Sequence, residues 1–251
     1  MWHGDVMTGR RLPDGTFIYQ CTIEDDYSRG YGGYLSEYKD ARIVIYALID
    51  SILRWKSIPT CFHYDNGSEA KCGIVKAFLR NLSKVCSHYI ILIPTLVENP
   101  KGNGKKERAH RDDKRDFWKK IKSNDIRYLQ KKFEDYLVWR NNKKGHFALK
   151  GKPSISRLKE NKKPIRKFTQ EFLENLAKVK IEGRTVRKGG VIFLYGELIY
   201  TDKRLVGKNV ELWETLSGLE VRYGDRVFNV VEDYWEKIKK RSKPSNDLNI
   251  G

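Results

Sequence analysis

Three acidic residues occupy positions where an acid needs a reason to be. Asp5 falls inside a short apolar-rich stretch between Trp2 and Met7 that reads as a strand, and aspartate fits a strand interior poorly. Asp65 ends the strand-like run Pro59 to Tyr64 and begins the turn signal Asp65-Asn66-Gly67. Glu107 opens a helical stretch just after a glycine-rich loop. Strand ends and helix starts are where α/β sheets build their sites. Three carboxylates converging there would repel one another unless cations lay between them. Hard oxygen ligands of this kind suit Mg²⁺ or Mn²⁺. Two such ions about 3.5–4 Å apart activate an attacking oxygen and stabilise a leaving one, so phosphoryl transfer would need no covalent intermediate. Singly, each acid has an ordinary explanation: an edge-strand charge, a turn, and a helix N-terminal acid that favours the dipole.

Basic residues surround these acids. His110, Arg111 and Lys114 follow Glu107 by three, four and seven positions and share its helical face. They are candidates for contact with phosphates, the alternative being a solvated charged face. Lys101, Lys105, Lys106 and Arg108 lie in or beside the glycine-rich loop. Further along, Arg184, Arg187, Lys188, Lys203 and Arg204 would add sequence-independent affinity for a phosphate backbone. The chain as a whole carries a formal net charge of +18, which favours a polyanionic partner, nucleic acid above all. No apolar run of membrane-spanning length and no signal-peptide pattern occurs. The expectation is therefore a soluble, cytoplasmic protein with no membrane partner, nucleoid-associated if the host is prokaryotic. Cys21, Cys61, Cys72 and Cys86 have no C-x-x-C spacing and read as reduced structural thiols. His3, His63, His88, His110 and His146 show no ligand-pair spacing either.

The elements that must position these residues follow from periodicity. Trp2 to Met7, Thr16 to Ile23 and Tyr31 to Leu35 predict three antiparallel strands, with a polar turn from Thr8 to Gly15. Ile45, Leu48, Ile49 and Ile52 predict a helix, Pro59 to Tyr64 a strand, Val75 to Leu82 a helix, and Tyr89 to Ile93 a buried strand. That alternation implies parallel pairing through crossover helices. A loop from Pro94 to Gly104 precedes a helix from Lys105 to about Ile121, and another helix spans Ile126 to Arg140. Residues 143 to 167 are basic and irregular, and Thr169 caps a short helix to Leu176. From Lys180 onward, short strands and glycine turns predict a small closed barrel. Its aromatic residues Tyr195, Tyr200, Trp213 and Tyr223 read as barrel core rather than as base-stacking platforms. The expected divisions are a catalytic core over 1–122, a helical extension and linker over 123–179, a barrel over 180–235, and a basic disordered tail over 236–251.

Four blocks in order carry a resemblance. Trp2-His3-Gly4-Asp5 resembles the W-x-x-D start of the integrase core. Asp25-Asp26-Tyr27-Ser28-Arg29 resembles the D-x-x-S-R segment of bacterial insertion-sequence transposases. Asp65-Asn66-Gly67-Ser68-Glu69 is similar to the block that carries the second acid. Asn99 to Arg108 is similar to the P-x-x-N-G-x-x-E-R block that carries the third. The C-terminal strands look like the small β-barrel of Mu-type transposases. The chain thus resembles a DDE transposase or retroviral-type integrase, which implies a ribonuclease-H-like α/β fold, a mixed sheet flanked by helices, plus a C-terminal all-β barrel.

The resemblance further implies two Mg²⁺ or Mn²⁺ ions held by Asp5, Asp65 and Glu107, with DNA strand cleavage by water and then strand transfer by the freed 3′-hydroxyl. It implies transposon ends and target DNA as partners, and a homo-oligomer on that DNA. Two departures stand out. The step from 65 to 107 is longer than the family's, which leaves Glu98 as a rival third acid. The helix-turn-helix region that reads terminal repeats is not among these 251 residues, so the sequence is expected to be a piece or a truncated copy. The alternatives are a catalytically silent, transposase-derived DNA-binding protein or regulator, and a plain nuclease of the same fold.

Overall fold

The computed structural model describes residues 1–64, 73–94, 104–160 and 167–241, with backbone alone at 94, 104–106 and 238–241. Asp65, Cys72, Glu98 and Lys101 lie outside the described residues. Two compact units divide the chain, Met1–Leu176 and Ala177–Gly251.

The first unit is built on a five-stranded sheet: β1 (Trp2–Arg11), β2 (Phe17–Asp25), β3 (Tyr31–Ser36), β4 (Cys61–Tyr64) and β5 (Ile91–Pro94). The strand order is β3-β2-β1-β4-β5. β1, β2 and β3 pair antiparallel, and β4 and β5 add in parallel on the other side of β1. This mixed sheet, covered by helices on both faces, is the ribonuclease-H-like arrangement. Helices α1 (Ala41–Trp55) and α2 (Gly73–Cys86) supply the crossovers between β3, β4 and β5. In β4, Phe62 and Tyr64 are buried while Cys61 and His63 are partly exposed. The run expected as a buried strand from Tyr89 to Ile93 begins pairing only at Ile91, and Tyr89 and Ile91 are exposed because only one side of this edge strand is paired.

β1 is longer than its apolar residues predict. It runs through the polar Thr8-Gly9-Arg10-Arg11 segment, with a register shift between Thr8 and Arg10. Gly9 is the extra residue there, and a Cβ on it would fall 2.1 Å from the Trp118 ring. The bulge thus opens the space that Trp118 fills.

Two adjacent glycines bring helices onto β3 from both faces. A Cβ at Gly32 would lie 2.3 Å from Ser51 Oγ of α1, and one at Gly33 would lie 2.4 Å from the Cys21 carbonyl and 3.3 Å from Phe133. Successive residues of a strand face opposite ways, so the pair lets both layers approach closely. α1 begins at the cap Asp40, whose carboxylate accepts from Arg42 N at 3.0 Å. It ends at Lys56 in the left-handed region.

On the second face lie α3 (Gly104–Asp113), a π-helical turn at Lys114–Trp118, and α4 (Ile126–Asn142). The single helix expected to about Ile121 is therefore interrupted. The wider turn rotates Phe117 and Trp118 into a core with Met7, Ile18, Tyr31, Leu129 and Phe133. Arg10 donates from Nη1 to Ser123 O at 2.8 Å and from Nη2 to Trp118 O at 3.1 Å, satisfying carbonyls where the turn ends. A 3₁₀ turn at Phe147–Leu149, the short helix α5 (Ile155–Leu158) and α6 (Gln170–Leu176) complete the unit.

The second unit is all-β but for its last helix. β6 (Lys178–Thr185), β9 (Asn209–Thr215), β10 (Gly218–Tyr223) and β11 (Arg226–Val231) form an antiparallel sheet in the order β11-β10-β9-β6, and β7 (Val191–Leu194) pairs with β8 (Glu197–Tyr200) as a hairpin. Val186, Ile192, Ile199, Val210, Leu212 and Val221 are buried, whereas Tyr195, Tyr200 and Tyr223 are exposed rather than core. The large exposed rings follow from turn and edge positions, where the inward sites are already filled by smaller aliphatic residues. The stretch expected to be a disordered tail begins inside helix α7 (Tyr234–Arg241). Tyr234 OH donates to Glu214 Oε2 at 2.9 Å and Trp235 Nε1 to Thr215 O at 2.9 Å, which fastens that helix to β9. No helix among the described residues is long and apolar enough to cross a membrane.

Candidate active site

Asp5 sits on the central strand of the first unit, opposite Thr22 of β2. The alternation of a strand puts His3, Asp5 and Met7 on one face and Trp2 and Gly4 on the other. Trp2 packs edge-on against Trp55 of α1 at 4.7 Å between ring centroids. Met7 enters the opposite core. Asp5 therefore faces the α3 layer, partly exposed, with Oδ1 accepting from Val6 N at 2.9 Å. Its Oδ2 lies 3.2 Å from His110 Nε2.

His110 is one turn beyond Glu107 on α3, so the structure ties the helix carrying the proposed third acid to the strand carrying the first. Glu107 itself is exposed. β4 runs parallel to β1 with Gly4 beside Tyr64, and Asp65 is the next residue in the chain. Arg108 and Arg111 are exposed, and Lys114 is exposed at the start of the π-helical turn. Lys105 and Lys106 belong to the first turn of α3. In the second unit, Arg184 on β6 pairs with Glu182 at 2.7 Å, Arg187 stacks over Phe193 at 4.9 Å, and Lys188 is exposed beside Gly189.

Sequence spacing showed no histidine pair, but the fold makes one. His3 and His63 are register partners across β1 and β4, with their Nδ1 atoms 3.3 Å apart. One ring must present a lone pair to the other at that distance. The signal was present as a repeated H-x-D: His3-Gly4-Asp5 and His63-Tyr64-Asp65. On parallel neighbouring strands in this register the two histidines come side by side.

Asp25-Asp26-Tyr27-Ser28-Arg29 proves to be a turn. Ser28 donates to Asp25 Oδ2 from its backbone N at 2.9 Å and from Oγ at 2.6 Å, and Arg29 adopts φ +58. Arg29 then reaches Asp26 at 3.0 Å.

The device that holds α3 in place was not legible as such. Asp113, fully buried, accepts from Gln20 Nε2 (2.6 Å), Tyr31 OH (2.6 Å), Tyr136 OH (2.7 Å) and Arg140 Nη1 (3.1 Å). Gln20 in turn accepts from Trp118 Nε1 at 2.6 Å, and the Arg140 guanidinium lies over the Tyr31 ring at 3.6 Å. Burial and the neighbouring Asp113 push the Tyr31 and Tyr136 hydroxyls above their ordinary range, so both act as donors. One carboxyl thus joins β2, β3, α3 and α4. The sequence signal is an acid in an apolar stripe, since Ala109, Asp113 and Phe117 recur every fourth residue.

Among the described residues no group of three His, Cys, Asp or Glu is arranged as a metal cage. Asp5 and Glu107 each offer a hard carboxylate oxygen of the kind Mg²⁺ or Mn²⁺ takes, partly exposed at Asp5 and exposed at Glu107.

No family model matches the chain, and no curated protein matches it. The chain is similar to the solved catalytic core domain of BIV integrase at 21% identity and a TM-score of 0.45, over 63% of this chain and 93% of that one. It is also similar to a chain of the simian T-cell lymphotropic virus intasome in complex with PP2A regulatory subunit B56 gamma. There the identity is 14% and the TM-score 0.49, over 90% of this chain and 79% of that one.

Proposed function

We propose that this chain is a DNA transposase or integrase of the DDE type, cutting and joining DNA strands with Asp5, Asp65 and Glu107. The observation that carries the reading is the meeting of β1 and α3 at Asp5 and His110, 3.2 Å apart. It brings the helix of Glu107 to the strand of Asp5, and β4, parallel to β1, ends one residue before Asp65. Asp5 would be shared by two Mg²⁺ or Mn²⁺ ions, with Asp65 on one and Glu107 on the other. Bound there, such ions would activate the attacking oxygen and offset charge on the leaving one.

The chain's own residues orient and hold. Val6 N fixes one oxygen of Asp5, His110 lies against the other, and the Asp113 hub keeps α3 from shifting. Lys101, Lys105, Lys106, Arg108, Arg111 and Lys114 would receive the flanking phosphates, and Arg184, Arg187 and Lys188 of the second unit would make phosphate contacts of their own. The net charge of +18 supports a DNA partner. We also assign the chain a multimeric state on paired DNA ends.

The test is cleavage of end-bearing DNA with Mn²⁺ by the wild-type chain and by Asp65→Asn. The expected result is loss of cleavage in the variant with DNA binding kept. Cleavage by Asp65→Asn at the wild-type rate would sink the assignment, and binding without cleavage in the wild type would instead favour a silent DNA-binding protein.

A further inference from the structure

A second feature lies beside α3, and neither Asp5 nor Glu107 is among the residues that line it. Arg108 and Asp112, one turn apart, face a cavity of about 280 Å³ whose other walls include Arg29, Arg140, Lys144 and the loop from Gly145 to Ala148. On the helix they lie about 100–140° around from Glu107 and about 160° from His110. Arg140 is 3% exposed, and its Nε has no hydrogen-bond partner. A buried guanidinium nitrogen left without an acceptor is costly, and Arg140 is one of the residues lining this cavity. Glu24 and Asp112 also line it. Asp112 is engaged by Lys144 at 2.7 Å and Arg115 at 2.9 Å. Burial raises the Glu24 carboxyl against the opposing pull of Arg140 and Arg29. His146 is lowered to about 4, chiefly by burial and then by the charges of Arg140, Lys144 and Arg29. The cavity is therefore suited to an anion.

At its lip stands Phe147, 93% exposed. Single exposed apolar residues are common, but this one is held out by a rigid turn. His146 O accepts from Leu149 N (2.9 Å) and Gly151 N (3.0 Å), and His146 N donates to Lys152 O at 3.1 Å. Gly145 bridges to Pro153, and a Cβ at Gly145 would strike Gly151 O at 2.4 Å. Leu149 is buried beneath the turn, and Ser154 Oγ donates to Arg29 O at 2.6 Å, fastening the loop to the β2–β3 turn. Lys143, Lys150 and Lys152, within five residues of Phe147 in the chain, are exposed as well. An aromatic face presented rigidly among cations, next to an anion cavity, has the parts of a site for single-stranded nucleic acid.

We propose that this loop and cavity hold one unpaired nucleotide of the DNA, its phosphate against Arg108 and Arg140 and its base stacked on Phe147. This rests on the DNA-processing reading above, and gives it a means of gripping a frayed strand beside the reacting end. The ring's exposure and the exposed lysines nearby in the chain favour a nucleobase over a protein partner.

The experiment compares binding of a fully paired duplex and the same duplex bearing an unpaired tail, by fluorescence anisotropy without divalent metal. Wild type is expected to prefer the tailed DNA. Phe147→Ala should lose roughly 5-fold or more on the tailed DNA, the low end of one base–aromatic stack, while binding paired duplex unchanged. Phe147→Trp should restore the preference. An unaltered preference in Phe147→Ala overturns the proposal, as does equal loss on both DNAs. A change in sedimentation of Phe147→Ala with unaltered DNA binding would mark Phe147 as a protein contact and overturn it too. Because cleavage is not the readout, absence of Mn²⁺-dependent cutting would refute the catalytic reading and leave this comparison intact.

Discussion

His110 Nε2 and Asp5 Oδ2 stand 3.2 Å apart across the junction of α3 and β1. A residue at this place would act on the proposed metal-binding carboxylate by fixing its orientation, as outer-shell partners do. His110→Ala is expected to weaken Mn²⁺ dependence or activity by about 10- to 100-fold. A metal titration of DNA cleavage reads it, and an unmoved half-saturation together with an unmoved rate would remove His110 from the site.

The third acid is decided by a paired substitution. Glu107→Gln should abolish cleavage and Glu98→Gln should leave it near the wild-type rate. The reverse pattern would transfer the role to Glu98.

Asp113 is the polar hub of the first unit, and its removal should be read in stability. Asp113→Ala leaves buried Arg140 and two buried hydroxyls without their acceptor. Breaking a buried pair of this kind costs about 3–5 kcal/mol. Urea unfolding of the whole chain measures it, and a loss below about 1 kcal/mol would show that the hub contributes little.

His146 makes a pH prediction with a definite sign. Its folded value is lowered to about 4, while an unfolded histidine titrates near 6.5. Between those values the unfolded chain binds the extra proton, so stability falls as pH falls from about 6.5 toward 4. Half-exposure of the ring moderates the size. Melting temperatures of wild type and His146→Gln across that window should converge at low pH and differ in slope, and identical slopes would refute the shift.

DNA affinity should fall steeply with salt, with a log–log slope near −0.9 for each phosphate neutralised on duplex DNA. Titration at several salt concentrations measures it. Arg111→Ala should make the slope about one unit shallower, and a slope near zero in the wild type would rule out phosphate-dominated binding.

Much of the architecture was legible because periodicity reports burial. The apolar residues at helical spacing from Ile45 to Ile52 became α1, and the short β-branched runs became the strands of a sheet with parallel and antiparallel pairs. β1 was cut short in the reading because Thr8 to Arg11 is polar, yet an antiparallel partner stabilises a strand through backbone hydrogen bonds that composition does not register. The helix through Lys114 likewise hid its π-helical turn, since the residues there are good helix formers and only the packing of Trp118 under Gly9 calls for the extra residue.

By itself the sequence determined that helices alternate with strands, that Glu107 falls in the first turn of a helix, and that the chain carries a large positive charge. These follow from spacing and charge, which are local or additive. Only the tertiary structure decided what each side chain meets: His110 beside Asp5, His3 against His63, Asp113 beneath four donors, and Phe147 held out over a basic cavity. Such pairings join residues tens of positions apart, and they are set by strand register and helix packing. No local propensity encodes them.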